Sequence, residues 1–166
     1  WGDRLDVGVG ATYVRQTLDS ASAAAPMGTV GVLWRTPLSS LTLGAAVRNI
    51  GGSIRFQEEG DPLPVTSALG AAGRFMENRL LISVETRAVQ KEAMAYSAGV
   101  EVSPPIYKEA VGNVRVGYRS DLQDTVDATG FSLGLGVGFP HWGFDASWAP
   151  YGVLGDTFRY AFRYTF

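Results

Sequence analysis

The last eleven residues of the chain, 156–166, restrict its fold more than any other segment. Within them an aromatic ring occupies every second position, namely Phe158, Tyr160, Phe162, Tyr164 and Phe166. The positions between them carry Thr157, Arg159, Ala161, Arg163 and Thr165. Because successive side chains of a β-strand point to opposite faces, the pattern predicts a strand with one aromatic and one polar face. Such a strand is typical of the end of an outer-membrane β-barrel, which contacts lipid outside and water inside.

A similar alternation of apolar with small or polar residues recurs along the chain. One early segment has the apolar set Leu5, Val7, Val9, Ala11 and Tyr13. A later segment has the apolar set Phe131, Leu133, Leu135, Val137 and Phe139. We count about ten such segments of roughly 9 to 13 residues, the length that a tilted strand needs to cross a bilayer. The sequence therefore predicts an all-β fold, an antiparallel up-and-down transmembrane β-barrel. The alternative is a soluble all-β binding domain.

The segments between the predicted strands differ in length. Four longer connections are predicted to be loops on the outer side: 17–26, 49–64, 120–127 and 149–155. Three short turns are predicted on the periplasmic side: 36–40, 76–78 and 140–141. Such barrels combine short periplasmic turns with longer external loops, so most of the pattern agrees with the predicted fold. Two connections depart from it, because 90–92 is short but outside and 104–112 is long but inside.

Charged residues concentrate on the face opposite the apolar one. An arginine at the lipid midplane costs on the order of 2 to 4 kcal/mol, so these residues are predicted to face the lumen. The predicted lumen-facing set is Arg48, Arg74, Glu85, Arg87, Glu101, Arg115, Arg119, Asp145, Arg159 and Arg163. Two roles are open for this set: a ladder of salt bridges that holds the strands in register, or a basic path that guides an anionic solute.

Composition argues against several classes of function. The chain has 14 basic and 16 acidic residues without a basic run, so nucleic acid is not an expected partner. It has no cysteine, and its one histidine, His141, lies in a predicted turn away from the polar face. A Ser-His catalytic pair and a zinc site are therefore not expected. We predict a protein that is not an enzyme and that uses neither a cofactor nor a metal.

Three stretches of the chain resemble the PorV/PorQ family, whose members are related to the long-chain fatty-acid transporters of the FadL class. The first stretch is Arg48-Asn49-Ile50-Gly51 with Ile54-Arg55-Phe56 and Pro62-Leu63-Pro64. The second is Arg115-Val116-Gly117-Tyr118-Arg119. The third combines Asp145 with Pro150-Tyr151-Gly152, Leu154-Gly155, Thr157, Arg159 and Phe166. In this order and spacing the three stretches are similar to the bend, a central strand and the closing hairpin of the family.

The resemblance implies the C-terminal portion of a fourteen-stranded barrel, with residues 1–166 as a single domain that lacks N-terminal strands and a plug. A shortened ten-stranded relative is the alternative. The barrel class also implies that the alternate aromatic residues from Phe158 to Phe166 form a C-terminal assembly signal.

For function, the resemblance implies a protein of the bacterial outer membrane in contact with its lipid. It would transport hydrophobic or small solutes, or serve a type IX-like secretion apparatus. A structural barrel subunit in a larger envelope assembly is a further alternative. A secreted-protein client would bind the external loops, where the candidate residues are Asn49, Gly51, Phe56, Pro62, Leu63, Pro64, Pro150, Tyr151 and Gly152.

Overall fold

A computed structural model of the protein describes residues 4–18, 21–38, 40–56, 59–122 and 129–166. Within these ranges the chain forms thirteen β-strands and two short 3-10 helices, Ser120–Leu122 and Gly152–Leu154. The strands are β1 (Leu5–Leu18), β2 (Ala21–Arg35), β3 (Leu41–Ile50), β4 (Ser53–Phe56), β5 (Glu59–Pro62), β6 (Thr66–Phe75), β7 (Leu80–Val89), β8 (Ala95–Val102), β9 (Pro105–Tyr107), β10 (Ala110–Arg119), β11 (Phe131–Gly138), β12 (Trp142–Pro150) and β13 (Asp156–Tyr164).

The main sheet has eleven strands, ten of which follow each other in the order β1-β2-β3-β6-β7-β8-β10-β11-β12-β13. The short strand β9 pairs with β10, and β4 and β5 form a separate two-stranded sheet. The ten main strands therefore lie in the sheet in their sequence order, in an antiparallel, up-and-down arrangement. This confirms the all-β fold class and the prediction of about ten main strands. No helix in the described ranges has both the length and the apolarity that crossing a membrane requires.

The chain divides into two compact units: Trp1–Gly70 with Thr86–Met94, and Ala71–Glu85 with Ala95–Phe166. In the first unit, β1 pairs with β2 along its whole length, from Leu5 opposite Trp34 to Leu18 opposite Ala21. The prediction of a loop over 17–26 is therefore wrong for most of that segment. The Ala- and Ser-rich sequence lacks the alternation of apolar and polar residues that indicates a strand. Strands pair through backbone hydrogen bonds, however, which form without such an alternation of side chains.

The predicted loop over 49–64 also contains regular structure, since β4 and β5 form a hairpin within it. The base of the hairpin is closed by a hydrogen bond from Leu63 N to Gly52 O (2.8 Å) and by one from Asn49 Nδ2 to Pro64 O (3.1 Å). Asn49 and Gly51 adopt φ angles of 61° and 81°, a left-handed conformation that Asn and Gly accept more readily than most residues. The chain therefore leaves β3 through a defined bend.

In the second unit, apolar residues of neighbouring strands face each other in register. Val100 lies opposite Val116, and Val116 lies opposite Leu133. Leu133 in turn lies opposite Trp148, which lies opposite Phe158. One face of five consecutive strands is therefore continuously apolar. The other face carries the polar residues that alternate with this row.

Three predicted connections of the second unit differ from the expected loops. In 104–112, β9 pairs with the start of β10, which begins at Ala110. In 149–155, β12 continues to Pro150 and is followed by the 3-10 helix. In 120–127, a 3-10 helix occupies Ser120–Leu122, and 123–127 lie outside the described residues. Strand β9 and the two 3-10 helices have three residues each, which is too short for a periodic pattern to reveal them.

The predicted short turns are observed at 76–78 and at 140–141. Met76, Glu77 and Asn78 have φ angles of 52°, 57° and 69°, and Arg79 N donates to Met76 O. At the other turn, Phe139 N donates to Trp142 O at 2.7 Å.

The apolar face is exposed in both units. Val9 in the first unit is 82% exposed, and Leu135 and Phe162 in the second are 63% and 69% exposed. Among the described residues, the buried hydrophobic side chains are three alanines, Ala25, Ala95 and Ala110. A soluble β-sandwich hides such faces between its two sheets. In each described unit, large apolar side chains are instead exposed.

Candidate functional site

A groove with a volume of about 400 Å³ lies on the polar face of the second unit. Its residues come from β7, β8 and the strands from β10 to β13, together with the segment around Tyr151. The groove therefore runs across the strands rather than along one of them.

The floor of the groove consists of small residues in register. Gly99 on β8 lies opposite Gly117 on β10, and Gly117 lies opposite Ser132 on β11. A Cβ atom on Gly117 would approach Ser132 Oγ to 2.7 Å, and one on Gly99 would approach Ser83 Oγ to 3.0 Å. Both glycines thus leave space that neighbouring hydroxyl groups occupy. The result is a depression with serine hydroxyls at its base.

On one side of the floor, Arg115 joins two carboxylates. Its Nε lies 2.5 Å from Glu101 Oε2, and its Nη1 lies 2.5 Å from Asp145 Oδ1. The Ser103 hydroxyl lies 3.3 Å from Glu101 Oε1 and 2.8 Å from Asn113 Oδ1. The three charged side chains are partly buried, since Arg115, Glu101 and Asp145 are 40%, 22% and 37% exposed. This cluster connects strands β8, β10 and β12 through one arginine.

On the other side of the floor, Arg119 forms a two-pronged interaction with Asp121. Arg119 Nη2 donates to Asp121 Oδ2 at 2.7 Å, and Arg119 Nε donates to Asp121 Oδ1 at 3.1 Å. This fork geometry fixes the guanidinium plane and balances its charge locally. Tyr151, one of the candidate residues for binding a secreted-protein client, also lines the groove.

Arg159 differs from the other two arginines of the groove. It lies on β13 opposite Ser147, and its side chain lines the groove together with Thr157. Within the part of the chain that the structure describes, Arg159 forms no ion pair with a carboxylate. The groove therefore combines two balanced arginines with one whose charge is not compensated by a described neighbour.

The remaining charged residues of the predicted lumen set lie outside the groove. In the second unit, Arg163 lies opposite Gly143, with its Nη2 3.3 Å from where a glycine Cβ would be. Arg74 and Glu85 are exposed in the same unit, whereas Arg48 and Arg87 belong to the first unit. The structure thus brings together Glu101, Arg115, Arg119, Asp145 and Arg159.

The candidate residues for client binding in the predicted external loops lie in two parts of the structure. Asn49, Gly51, Leu63 and Pro64 form or adjoin the base of the β4–β5 hairpin, and Phe56 and Pro62 end its two strands. Pro150 ends β12, and Gly152 begins the 3-10 helix that follows Tyr151.

Sequence reasoning missed the hydroxyl groups of the groove, Ser83, Ser132, Ser147 and Thr157. The strand parity placed them on the polar face, but only the strand register shows that they meet.

The C-terminal aromatic residues are all exposed. The rings of Phe144 and Tyr160 stack with centroids 6.3 Å apart, and Tyr164 meets Phe166 edge-on at 5.3 Å.

Within the described residues, no group of three His, Cys, Asp or Glu side chains is placed to hold a metal ion. The groove offers guanidinium and hydroxyl groups, which bind polar ligands by charge and hydrogen bonding.

Comparison with known proteins identifies a similar fold. No family model and no curated protein matches the chain. Among solved structures, the chain is similar to a triple mutant of the porin of Rhodopseudomonas blastica, with 11% sequence identity and a TM-score of 0.55. The match covers 95% of this chain and 55% of the porin, so the chain spans about half of the porin's length. The likeness concerns the fold: an antiparallel, up-and-down β-sheet of the kind found in that porin.

Proposed function

We propose that the chain forms part of the wall of a β-barrel in the bacterial outer membrane, and that its polar face borders an aqueous passage for small solutes. The observation that carries this proposal is the exposed apolar face, which includes Val9, Leu135 and Phe162. In water such a face would associate or aggregate, whereas lipid acyl chains cover it at no cost. The likeness to a porin fold supports the same environment.

Strand length and aromatic placement agree with this proposal. A tilted strand crosses the hydrocarbon core with about 9 to 11 residues. Strands β3, β6, β7 and β10 each have 10 residues, and β13 has 9. Trp142 and Tyr164 face each other at the end of the β12–β13 hairpin, where interfacial aromatic residues are expected.

The chemistry of the polar face favours a polar solute over a hydrophobic one. The groove presents serine hydroxyls and Arg159, and both kinds of group would be desolvated without compensation by an apolar ligand. The PorV/FadL resemblance remains our family proposal. The resemblance implies hydrophobic or small solutes, and of these we propose a small polar solute.

Liposome swelling tests this function directly. The full-length protein, reconstituted in liposomes, is expected to admit small sugars and to exclude larger oligosaccharides, as a water-filled passage does. Protein denatured before reconstitution serves as the control for leakage. Intact, folded protein that gives no more swelling than this control would contradict the proposal and favour a structural barrel subunit.

A second candidate function, binding of a secreted-protein client in a type IX-like apparatus, is favoured by the β4–β5 hairpin. Its strands pair apart from the main sheet, and backbone and Asn49 side-chain hydrogen bonds close its base. A preformed excursion of this kind suits recognition of another protein, because little order is lost on binding. Replacing 53–62 with a Gly-Ser linker is expected to abolish co-purification of a secreted client while leaving solute flux unchanged. Retained co-purification would argue against this function.

A further inference from the structure

We infer that the groove is a binding subsite for a small anionic solute, such as a carboxylate or a phosphate monoester, and that Arg159 is the residue that receives its charge. This inference deepens the proposed passage function and rests on it. It divides the arginines of the groove into those paired with a carboxylate of the protein and one that is not.

Charge balance distinguishes the two kinds of arginine. Arg115 is held between Glu101 and Asp145, so its Nε and Nη1 atoms are engaged and its charge is compensated by the protein. Arg119 is committed to Asp121 through two hydrogen bonds. A solute carboxylate near either of them would have to displace a neighbouring carboxylate of the protein. These two arginines therefore shape the groove and do not select its ligand.

Arg159 has the opposite environment. It lines the same groove, and the described chain places no carboxylate within ion-pair distance of it. A guanidinium group offers five donors in a planar fork that matches a carboxylate or phosphate group. An incoming anion can use this fork without breaking an ion pair between Arg159 and any described residue.

Hydroxyl groups extend the site beyond the charge. Ser147 lies directly opposite Arg159 across the β12–β13 ladder, and Thr157 lies two residues away on the same strand face. Ser132 contributes a third hydroxyl from the floor. Hydroxyl groups donate and accept hydrogen bonds, so they suit the uncharged polar part of the same solute. A phosphorylated or acidic sugar has this combination of one anionic group and several hydroxyls.

Ion selectivity tests the inference, with Arg159→Gln compared against Arg163→Gln. Arg163 lies on the same strand and face but does not line the groove, which makes it a matched control. In bilayers holding the full-length protein under a KCl gradient, Arg159→Gln is expected to lower the chloride-to-potassium permeability ratio about fourfold. That is the combined effect on chloride and potassium of one charge at roughly 5 Å in a water-like dielectric, reduced by screening at about 0.15 M salt. Arg163→Gln, about 13 Å along the strand, should change the ratio less than about twofold. Equal changes in both variants, or none, would overturn the inference.

A binding measurement distinguishes failure of this inference from failure of the proposed function. In detergent micelles, calorimetric titration with glucose 6-phosphate is expected to show tighter binding than titration with glucose, and Arg159→Gln should weaken only the former. This result would support the site even if the protein did not conduct. Equal affinity for the two sugars in the unchanged protein would overturn the inference even if liposomes swelled.

Discussion

Arg115 on β10 and Asp145 on β12 form an ion pair across the strand that lies between them, with Arg115 Nη1 2.5 Å from Asp145 Oδ1. Strands β10 and β12 flank β11, so their backbones are about 9.6 Å apart in the sheet. The pair can form because β11 presents glycines at this point: Gly134 lies opposite Arg115, and Gly136 lies opposite Asp145. The alternate glycines of β11 therefore allow an ionic contact that crosses a whole strand.

Loss of the Arg115 side chain should destabilise the sheet more than loss of an exposed arginine does. Arg115→Met leaves Glu101 and Asp145 without their shared cation, and both carboxylates are partly buried. We expect a loss of about 1 to 2 kcal/mol in the free energy of unfolding. The control is Arg35→Met, whose pair with Asp6 is more than half exposed on both sides and should cost at most about 0.5 kcal/mol. Urea titrations of both variants in micelles provide the measurement, and equal losses would contradict the prediction.

A methyl group at Gly136 should break the contact across β11. A Cβ at this position would meet Asp145 Oδ1, the atom that Arg115 binds. We expect Gly136→Ala to lower the free energy of unfolding by about 1 to 3 kcal/mol, because it displaces a charged hydrogen bond. In Gly8→Ala, by contrast, the new methyl group meets nothing within 4 Å. This control should be neutral or slightly stabilising, because alanine loses less backbone entropy on folding. A stabilised Gly136→Ala variant would show that the contact is dispensable.

Adjacent residues of β1 test which face meets lipid. Val9 lies opposite Val30 on the apolar face, and Gly8 lies opposite Gly31 on the other face. We expect Val9→Arg to prevent insertion into liposomes, because an arginine at the midplane of the bilayer costs about 2 to 4 kcal/mol. Gly8→Arg, one residue away, should insert normally, since open space surrounds that position. The measurement is the fraction of protein that resists protease after reconstitution. If both variants fail, or if neither does, the assignment of the faces is wrong.

Phe166, in the assembly signal that we propose, should affect assembly in the cell rather than stability. Phe166 is fully exposed, and its ring contacts Tyr164 edge-on. Because it packs so little, Phe166→Ser should change the free energy of unfolding by less than about 0.5 kcal/mol. We nevertheless expect less folded protein in the outer membrane, as required if Phe166 belongs to the assembly signal. Quantifying folded protein in membranes, alongside refolding of the purified variant in micelles, separates the two effects. Normal membrane levels would remove Phe166 from the signal.

The alternation of residue types predicted the main sheet well because the two faces of each strand differ in polarity along its own sequence. The face of Val116, for example, follows from its own neighbours, and its pairing with Leu133 extends the same face. The β4–β5 hairpin was not predicted, because its strands have only four residues each and β5 contains Gly and Pro, which are typical of loops. The strand pairing over 17–26 was missed for a related reason, since a run of small residues carries no periodic signal.

The groove was only partly predictable. Parity placed Glu101, Arg115 and Arg159 on one face, but it could not distinguish a paired arginine from an unpaired one. That distinction depends on the register of three or more strands and on the glycines between them. Neither property can be read from one strand at a time.

The near absence of buried large side chains among the described residues changes how these strands tolerate mutation. In a soluble core, shortening a leucine leaves a rigid void whose cost adds to the lost transfer energy. In the lipid environment that we propose, fluid acyl chains would fill the space beside a shortened Leu135, so the cavity contribution would disappear. The outward residues are thus free to drift in size and shape over evolutionary time, while their polarity stays fixed.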